Sequence, residues 1–172
     1  MFAPSTMHSI NPEGTTVLSS FKNRVFTACL VLAVAVPTAF AQPASRDFAA
    51  EEANRQLVVD FYNRFFNDHD ISAANVVAED YIQHNPRLTN GKKTLVSFFT
   101  GFFKENPMWH ERIVRSGTDG DLVYLHVHAT NGPADRGQAI VDIFRVKDGK
   151  IVEHWDVIQP VPESAANQNT MF

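Results

Sequence analysis

Cysteine is almost absent from this chain of 172 residues, because Cys29 is the only one. A single cysteine cannot form a disulfide within the chain, so no disulfide framework holds the fold together. The fold must therefore depend on a hydrophobic core. Residues 42–172 are numerous enough to form one compact domain around such a core.

The chain also has no excess of basic charge. Its 15 Lys and Arg residues are outnumbered by 19 Asp and Glu residues, which gives a net charge of −4 at pH 7. Proteins that bind phosphate backbones carry a basic patch, so the sequence predicts no nucleic-acid partner. After residue 41 the sequence contains no cysteine, no G-x-S-x-G motif and no glycine-rich phosphate loop. A Ser or Cys nucleophile and a phosphate-loop site are therefore not supported.

Long hydrophobic runs are missing too. The apolar stretch at residues 25–36 is shorter than the ~20 residues that a membrane-spanning helix needs. It follows the basic residues Lys22 and Arg24 and leads to Ala39-Phe40-Ala41, an A-x-A cleavage pattern. We expect residues 1–41 to be a secretory signal peptide. The remaining domain would then be secreted or periplasmic, without a stable membrane anchor; an uncleaved anchor is the alternative.

The first half of the remaining chain predicts three helices. Residues 48–67 and 92–105 carry apolar side chains spaced by three and four, with polar or charged residues between them. A short helix is expected at residues 71–78. Residues 80–86 should be extended, because Asn85 precedes a proline and is disfavoured in a helix.

The second half predicts four strands, at residues 109–116, 121–130, 136–147 and 150–159. The segments TDGD, NGPAD and KDGK separate them, and Asp-Gly between alternating runs is a hairpin signal. Helices followed by an antiparallel meander indicate an α+β fold, with the helices covering one face of a single sheet. We expect the domain to span residues 42–162, followed by a flexible tail at residues 163–172.

The last predicted strand contains an unusual pattern, IVEHWDVI at residues 151–158. His154 and Asp156 alternate with Val152 and Ile158, so these polar side chains share one face with aliphatic ones. Applying the same alternation to the neighbouring strands predicts a polar cluster on the inner face of the sheet. Its members are His126, His128, Asp142, His154 and Asp156.

A buried carboxylate is costly unless it is paired or hydrogen-bonded, and histidines are the available partners here. Carboxylates and imidazoles that converge under helices shift one another's pKa values, as in a general acid or base site. The alternative is that each group is singly satisfied and only structural. A metal site is a further alternative, with His126-x-His128, His154 and Asp156 as ligands. The glutamate that often follows a strand H-x-H is absent, so we predict no metal or cofactor.

Two segments carry a family resemblance. EDYIQHNP at residues 79–86 and DIFRVKDGKIVEHWDVIQP at residues 142–160, combined with the predicted order of elements, resemble the SnoaL-like polyketide cyclases of the nuclear transport factor 2-like superfamily. The resemblance covers residues 51–162. It implies a cone-shaped, curved antiparallel sheet, with three N-terminal helices packed on its concave face and a pocket between them.

The resemblance also implies roles for particular residues. Asp156 matches the last-strand aspartate of limonene epoxide hydrolase in the same superfamily, and is implied to be the base. His126-x-His128 matches the Arg-x-Asp pair of that enzyme, and His84 matches its water-positioning asparagine. The candidate catalytic residues are therefore Asp156, His126, His128, His84, His154 and Asp142.

Two functions are compatible with this interpretation. The first is a cofactor-independent enzyme that abstracts a proton from an apolar, carbonyl-bearing small molecule, in an aldol-type cyclisation, isomerisation or hydration. The second is a non-catalytic module that binds a small molecule in the same pocket. In either case the resemblance implies a homodimer through the outer face of the sheet, where Trp155 is expected.

Overall fold

The computed structural model describes residues 45–172. The expected signal peptide lies outside the described residues. No helix within residues 45–172 is both long and apolar enough to cross a membrane.

The helical part starts with a capped helix. The carboxylate of Asp47 accepts hydrogen bonds from the backbone N–H groups of Ala49 and Ala50, which satisfies two free donors of the first turn. Asp70 caps the next helical segment in the same way through the N–H of Ser72. The segments are helix α1 (Phe48–Tyr62), a π-helical turn (Asn63–Asn67), a 3₁₀ helix (Ile71–Val76) and helix α2 (Lys92–Glu105). The expected second helix is therefore only a short 3₁₀ segment.

Five strands form one curved, unclosed sheet. They are β1 (Val77–Gln83), β2 (Trp109–Asp119), β3 (Leu122–Asn131), β4 (Gln138–Lys147) and β5 (Lys150–Pro160). Their order in the sheet is β1-β5-β4-β3-β2. The α+β class and the meander from β2 to β5 are confirmed, with two corrections. Residues 80–86 were expected only to be extended, but most of this segment belongs to strand β1. This fifth strand pairs with β5 in parallel.

The core lies between the helices and the inner face of the sheet. On β3 it is formed by Val123, Leu125, Val127 and Ala129, none of which is more than 1% exposed. On the helical side, Phe65 is fully buried, and its ring centroid lies 5.2 Å from that of Phe61 and 5.4 Å from that of Phe99. The aromatic residues of α1, the π-helical turn and α2 therefore form one cluster above the strands.

A β-bulge interrupts the alternation of β5 side chains between the two faces of the sheet. Arg145 pairs with Glu153 and Val146 pairs with Ile151, so Val152 is an extra residue on β5. Ile151 is fully buried, whereas Val152 is only partly buried. The expectation that Val152 shares the inner face with His154 is therefore wrong, because strict alternation fails at the bulge.

We expect Phe65→Ala to lower the free energy of unfolding by about 3–5 kcal/mol, because it removes a buried aromatic ring and leaves a cavity. The matched control is Phe48→Ala at a side chain that is 71% exposed, which should cost less than about 1 kcal/mol. Urea unfolding followed by circular dichroism measures both values. Similar losses for the two variants would contradict this placement of the core.

Candidate active site

A cavity of about 350 Å³ lies between the inner face of the sheet and the helices. Its wall is largely aromatic, and is formed by Phe61, Phe66, Phe98, Phe99, Phe102 and Trp109. Polar side chains from β1, β2, β4 and β5 gather in the same cavity, namely Gln83, Glu111, Asp142, His154 and Asp156. An apolar wall with a few convergent polar groups is typical of a small-molecule site.

Asp142 is the most heavily hydrogen-bonded carboxylate in the cavity. It is only 5% exposed. Its Oδ2 atom accepts a hydrogen bond of 2.7 Å from the Tyr62 hydroxyl, and its Oδ1 atom lies 3.0 Å from His154 Nε2. These two partners come from helix α1 and strand β5. Both oxygens of Asp142 are therefore occupied by protein groups.

Hydrogen-bond partners also assign the protons of His154. Its Nδ1 atom lies 2.9 Å from Gln83 Oε1, and the same oxygen accepts the backbone N–H of Asn85 at 2.9 Å. Because this N–H fixes the Gln83 oxygen as an acceptor, His154 Nδ1 must donate. Its Nε2 atom faces the Asp142 carboxyl, and a proton must lie between them. Every side-chain nitrogen and oxygen of this pair therefore has a protein partner.

Asp156 has a different environment. Its Oδ2 atom accepts a hydrogen bond of 2.6 Å from Asn85 Nδ2, and its side chain lines the cavity. Its other carboxylate oxygen receives no hydrogen bond from residues 45–172. Asp156 therefore presents an available carboxylate oxygen in the cavity.

Glu111 is a third carboxyl group in this cavity, and the sequence analysis did not select it. It is 4% exposed, and its Oε1 atom accepts a hydrogen bond of 2.7 Å from Trp109 Nε1. Burial, followed by the nearby charge of Asp142, raises the pKa of Glu111 to about 8. At neutral pH Glu111 is therefore mostly a neutral carboxylic acid, which can donate a hydrogen bond.

Tyr62 connects these groups. Its hydroxyl hydrogen-bonds with Asp142 and lies close enough to Glu111 to interact with it as well. Burial, together with the charges of both carboxyl groups, holds the pKa of Tyr62 well above its ordinary value. The phenol therefore stays protonated.

The predicted inner placement of His126 and His128 is wrong. His126 pairs with Val141 and His128 pairs with Ala139 across β4, on the outer face, whereas Leu125 pairs with Asp142 on the inner face. His126 Nδ1 lies 2.6 Å from an Arg115 nitrogen, and His128 Nε2 lies 2.9 Å from the backbone oxygen of Arg136. Both side chains therefore lie on the face opposite the cavity, and the geometry does not support the catalytic roles predicted for them.

The expected C-terminal tail lies near these two histidines. Residues 161–172 form no helix or strand. The ring centroid of Phe172 lies 4.0 Å from that of His128 and 5.7 Å from that of His126, and the rings are stacked. The last residue of the chain therefore covers part of the outer face of β3.

His84 is also outside the cavity. Its Nε2 atom lies 2.9 Å from Glu153 Oε1, and its ring stacks on Trp155 with a centroid distance of 4.6 Å. Trp155 pairs with Ile143 on the outer face, as the alternation predicted. The asparagine that follows, Asn85, is the residue that reaches the cavity. The geometry therefore does not support the role implied for His84.

Of the six predicted site residues, the structure brings together Asp142, His154 and Asp156. It adds Glu111, Tyr62, Gln83 and Asn85, which the sequence analysis missed. A signal for Glu111 was present, because Trp109 and Ile113 flank it at the spacing of one strand face, as the aliphatic residues do in IVEHWDVI. The other three carried no comparable signal.

The cavity contains one group of possible metal ligands within residues 45–172. Donor atoms of Asp142, His154 and Asp156 lie within 4.8 Å of one another. A bound metal would have to replace the hydrogen bond between His154 Nε2 and Asp142 Oδ1. The ligand set with His126 and His128 is not formed, because those side chains lie on the opposite face of the sheet.

Comparison with protein families identifies the fold with this site. The family model described as a SnoaL-like domain matches residues 58–154, which is more than half of the chain. The chain belongs to the SnoaL-like domain family. The matched range contains Tyr62, Glu111, Asp142 and His154, while Asp156 lies just beyond it. No curated protein matches the chain.

Solved structures agree with the SnoaL-like fold. A proposed ketosteroid isomerase from Kribbella flavida DSM 17836 has a TM-score of 0.55 and 21% identity, over 68% of this chain and 85% of its own. A proposed SnoaL-like polyketide cyclase from Jannaschia sp. CCS1 has a TM-score of 0.55 and 16% identity, over 67% and 91%. An NTF2-like protein from Cytophaga hutchinsonii ATCC 33406 has a TM-score of 0.51 and 16% identity, over 62% and 90%. At these identities the likeness shows the fold alone.

The raised pKa of Glu111 predicts a pH dependence of stability. The pKa of Glu111 is about 8 in the folded protein, whereas the ordinary pKa of a glutamate, which applies to the unfolded chain, is 4.5. The favourable contribution is therefore present at low pH and is lost as the pH rises from about 5 to 8.

We expect the stability difference between wild type and Glu111→Gln to change by about 1.4 kcal/mol per pH unit in this range, with wild type losing stability as the pH rises. Glutamine keeps an acceptor for Trp109 Nε1 but cannot ionise. Urea unfolding at pH 5, 6, 7 and 8 measures the difference. A difference that does not change with pH would show that Glu111 ionises normally.

Proposed function

We propose that this SnoaL-like protein is an enzyme that removes a carbon-bound proton next to a carbonyl group of an apolar small molecule. The reaction would be an aldol-type cyclisation, an isomerisation or a hydration. The observation that carries the proposal is that three carboxyl groups in one cavity have three different environments. Both oxygens of Asp142 have protein partners, Glu111 is neutral at pH 7, and one oxygen of Asp156 has no protein partner among residues 45–172.

Asp156 is the proposed base for this reason. A general base needs a free lone pair within reach of the substrate proton. Asp142 has no oxygen without a protein partner, and the nitrogens of His154 face Gln83 and Asp142. Only one oxygen of Asp156 is held by Asn85, so the other can accept a proton. Asn85 fixes the orientation of the carboxylate, which favours transfer from a defined direction.

Glu111 is the proposed hydrogen-bond donor to the carbonyl oxygen. When Asp156 takes the proton, the electrons of the broken C–H bond move into an enolate, and the negative charge develops on the oxygen. A protonated carboxyl group in a dry cavity stabilises such a charge. Glu111 Oε1 accepts the Trp109 hydrogen bond, and Tyr62 is its other hydrogen-bonding neighbour, so a ligand carbonyl would take the place of Tyr62 as the partner of the Glu111 proton.

The cavity wall supports an apolar substrate. Aromatic side chains of α1, the π-helical turn and α2 face the polar groups of the sheet, and such walls bind mainly through apolar contact. The proposed ketosteroid isomerase and polyketide cyclase among the similar structures are named for reactions on carbonyl compounds. Those names support the class of reaction, and the residues of this cavity support the roles.

Two further features belong to the proposal. We propose that the protein is exported, to the periplasm or the medium, on the basis of the signal-like segment at residues 1–41. We also propose a homodimer through the outer face of the sheet. There, Val141 and Val157 are 42% and 71% exposed, and Trp155 lies between His84 and Arg145.

We expect Asp156→Asn to abolish proton abstraction while the protein stays folded. The measurement is exchange of carbon-bound protons in D₂O, followed by proton NMR, with a panel of apolar ketones and 1,3-dicarbonyl compounds. This assay needs no knowledge of the final product. Loss of a positioned base should lower the exchange rate by at least about 100-fold.

The matched control is Asp148→Asn, the same change at an exposed position in the turn between β4 and β5. It should exchange at the wild-type rate. Circular dichroism and thermal unfolding confirm that both variants are folded. Exchange by Asp156→Asn at the wild-type rate would refute the assignment of the base, and a panel in which the wild type exchanges no compound would favour a binding module.

A further inference from the structure

A second concave surface adjoins the mouth of the cavity. It is a shallow groove of about 440 Å³ between the loop after β1 and the first turns of α2. Arg87, Leu88 and Phe98 line both the groove and the cavity. The two spaces are therefore adjacent, with these three side chains between them.

The groove has a positive charge that the protein does not neutralise. Arg87 and Lys93 line it with exposed side chains, and neither forms a salt bridge with any residue in the range 45–172. Lys92, next in sequence, is by contrast paired with Glu79 at 2.9 Å. The chain as a whole has a net charge of −4, so these two cations make the cavity mouth positive in an acidic protein. Thr89 and Thr94 add hydroxyl groups to the same surface.

The interior of the cavity has the opposite character. Glu111, Asp142 and Asp156 all line it, and Arg87 is the only Lys or Arg side chain among its lining residues in the described part of the chain. An anionic group of a ligand would be repelled there by the carboxylates of Asp142 and Asp156. The same anionic group at the mouth would be attracted by Arg87 and Lys93, and would remain partly hydrated.

We propose that the natural ligand is an amphiphilic anion, with an apolar body in the cavity and a carboxylate or similar acidic group held by Arg87 and Lys93 in the groove. The opposite charges of the mouth and the interior would then orient the ligand, because only its uncharged end can approach Asp156 and Glu111. This inference rests on the proposed use of the cavity as a ligand site. It does not rest on the proposed reaction.

The test compares two fluorescent probes that share one aromatic skeleton. They are 1-anilinonaphthalene-8-sulfonate, which carries an anionic group, and N-phenyl-1-naphthylamine, which carries none. We expect the wild type to bind both probes, and to bind the anionic one more tightly. The preference should decrease as NaCl is raised from 20 to 500 mM, because exposed charges are screened by salt.

The double variant Arg87→Gln/Lys93→Gln should weaken binding of the anionic probe by about fivefold or more, and should change binding of the uncharged probe by less than twofold. The matched control is Lys104→Gln, an exposed lysine in the last turn of α2 that lines neither space. It should leave both affinities unchanged.

The possible outcomes separate the two proposals. Equal affinities of wild type for both probes, or an equal loss of both in the double variant, would overturn the anionic subsite while the cavity remains a ligand site. Failure of the uncharged probe to bind wild type would overturn the use of the cavity itself. Loss restricted to the anionic probe supports the subsite, whether or not Asp156 acts as a base.

Discussion

The hydrogen-bonded group around Asp142 is the constraint on which the rest of this structure depends. A carboxylate that is 5% exposed would be strongly unfavourable without partners. Tyr62 from α1 and His154 from β5 supply those partners, and Gln83 from β1 holds the far side of the imidazole. One buried charge therefore fixes the position of a helix and three strands. Removing one partner of such a pair typically costs about 3–5 kcal/mol, so the packing of these elements and the polarity of the cavity cannot vary independently.

The chemistry of the cavity follows from the same group. Burial is the main reason that Glu111 keeps its proton, and the neighbouring carboxyl group of Asp142 adds to the effect. Asp156 lies in a different environment, because it is only partly buried and accepts a hydrogen bond from Asn85. Three carboxyl groups in one small space thus have three different environments, set by burial and hydrogen bonding. The roles proposed for them follow from these differences.

The sequence predicted the class of the fold and three of the seven polar residues of the candidate site, and physical reasons explain the rest. Alternation in IVEHWDVI placed His154 and Asp156 correctly. After the bulge, β5 pairs with β4 without a further register shift, so alternate side chains stay on the inner face of the sheet. Alternation failed for His126 and His128, since both faces of β3 carry apolar side chains and the register with β4 was unknown. The alternate residues Val123, Leu125, Val127 and Ala129 are all apolar, and they were the better guide to the inner face. The parallel pairing of β1 with β5 left no hairpin signal, because these strands are distant in sequence.

The distribution of charge links the fold to ligand selection. The strands contribute the acidic groups of the interior, whereas Arg87 and Lys93 come from the loop after β1 and the start of α2, which form the rim. A loop at a rim can change its side chains without disturbing the buried group around Asp142, so ligand preference and the acid–base groups are supplied by separate parts of the chain. An anionic group of a ligand would be disfavoured in the interior, where three carboxyl groups already line the cavity. An anionic ligand is therefore compatible with a base in this cavity only if its charge stays at the mouth.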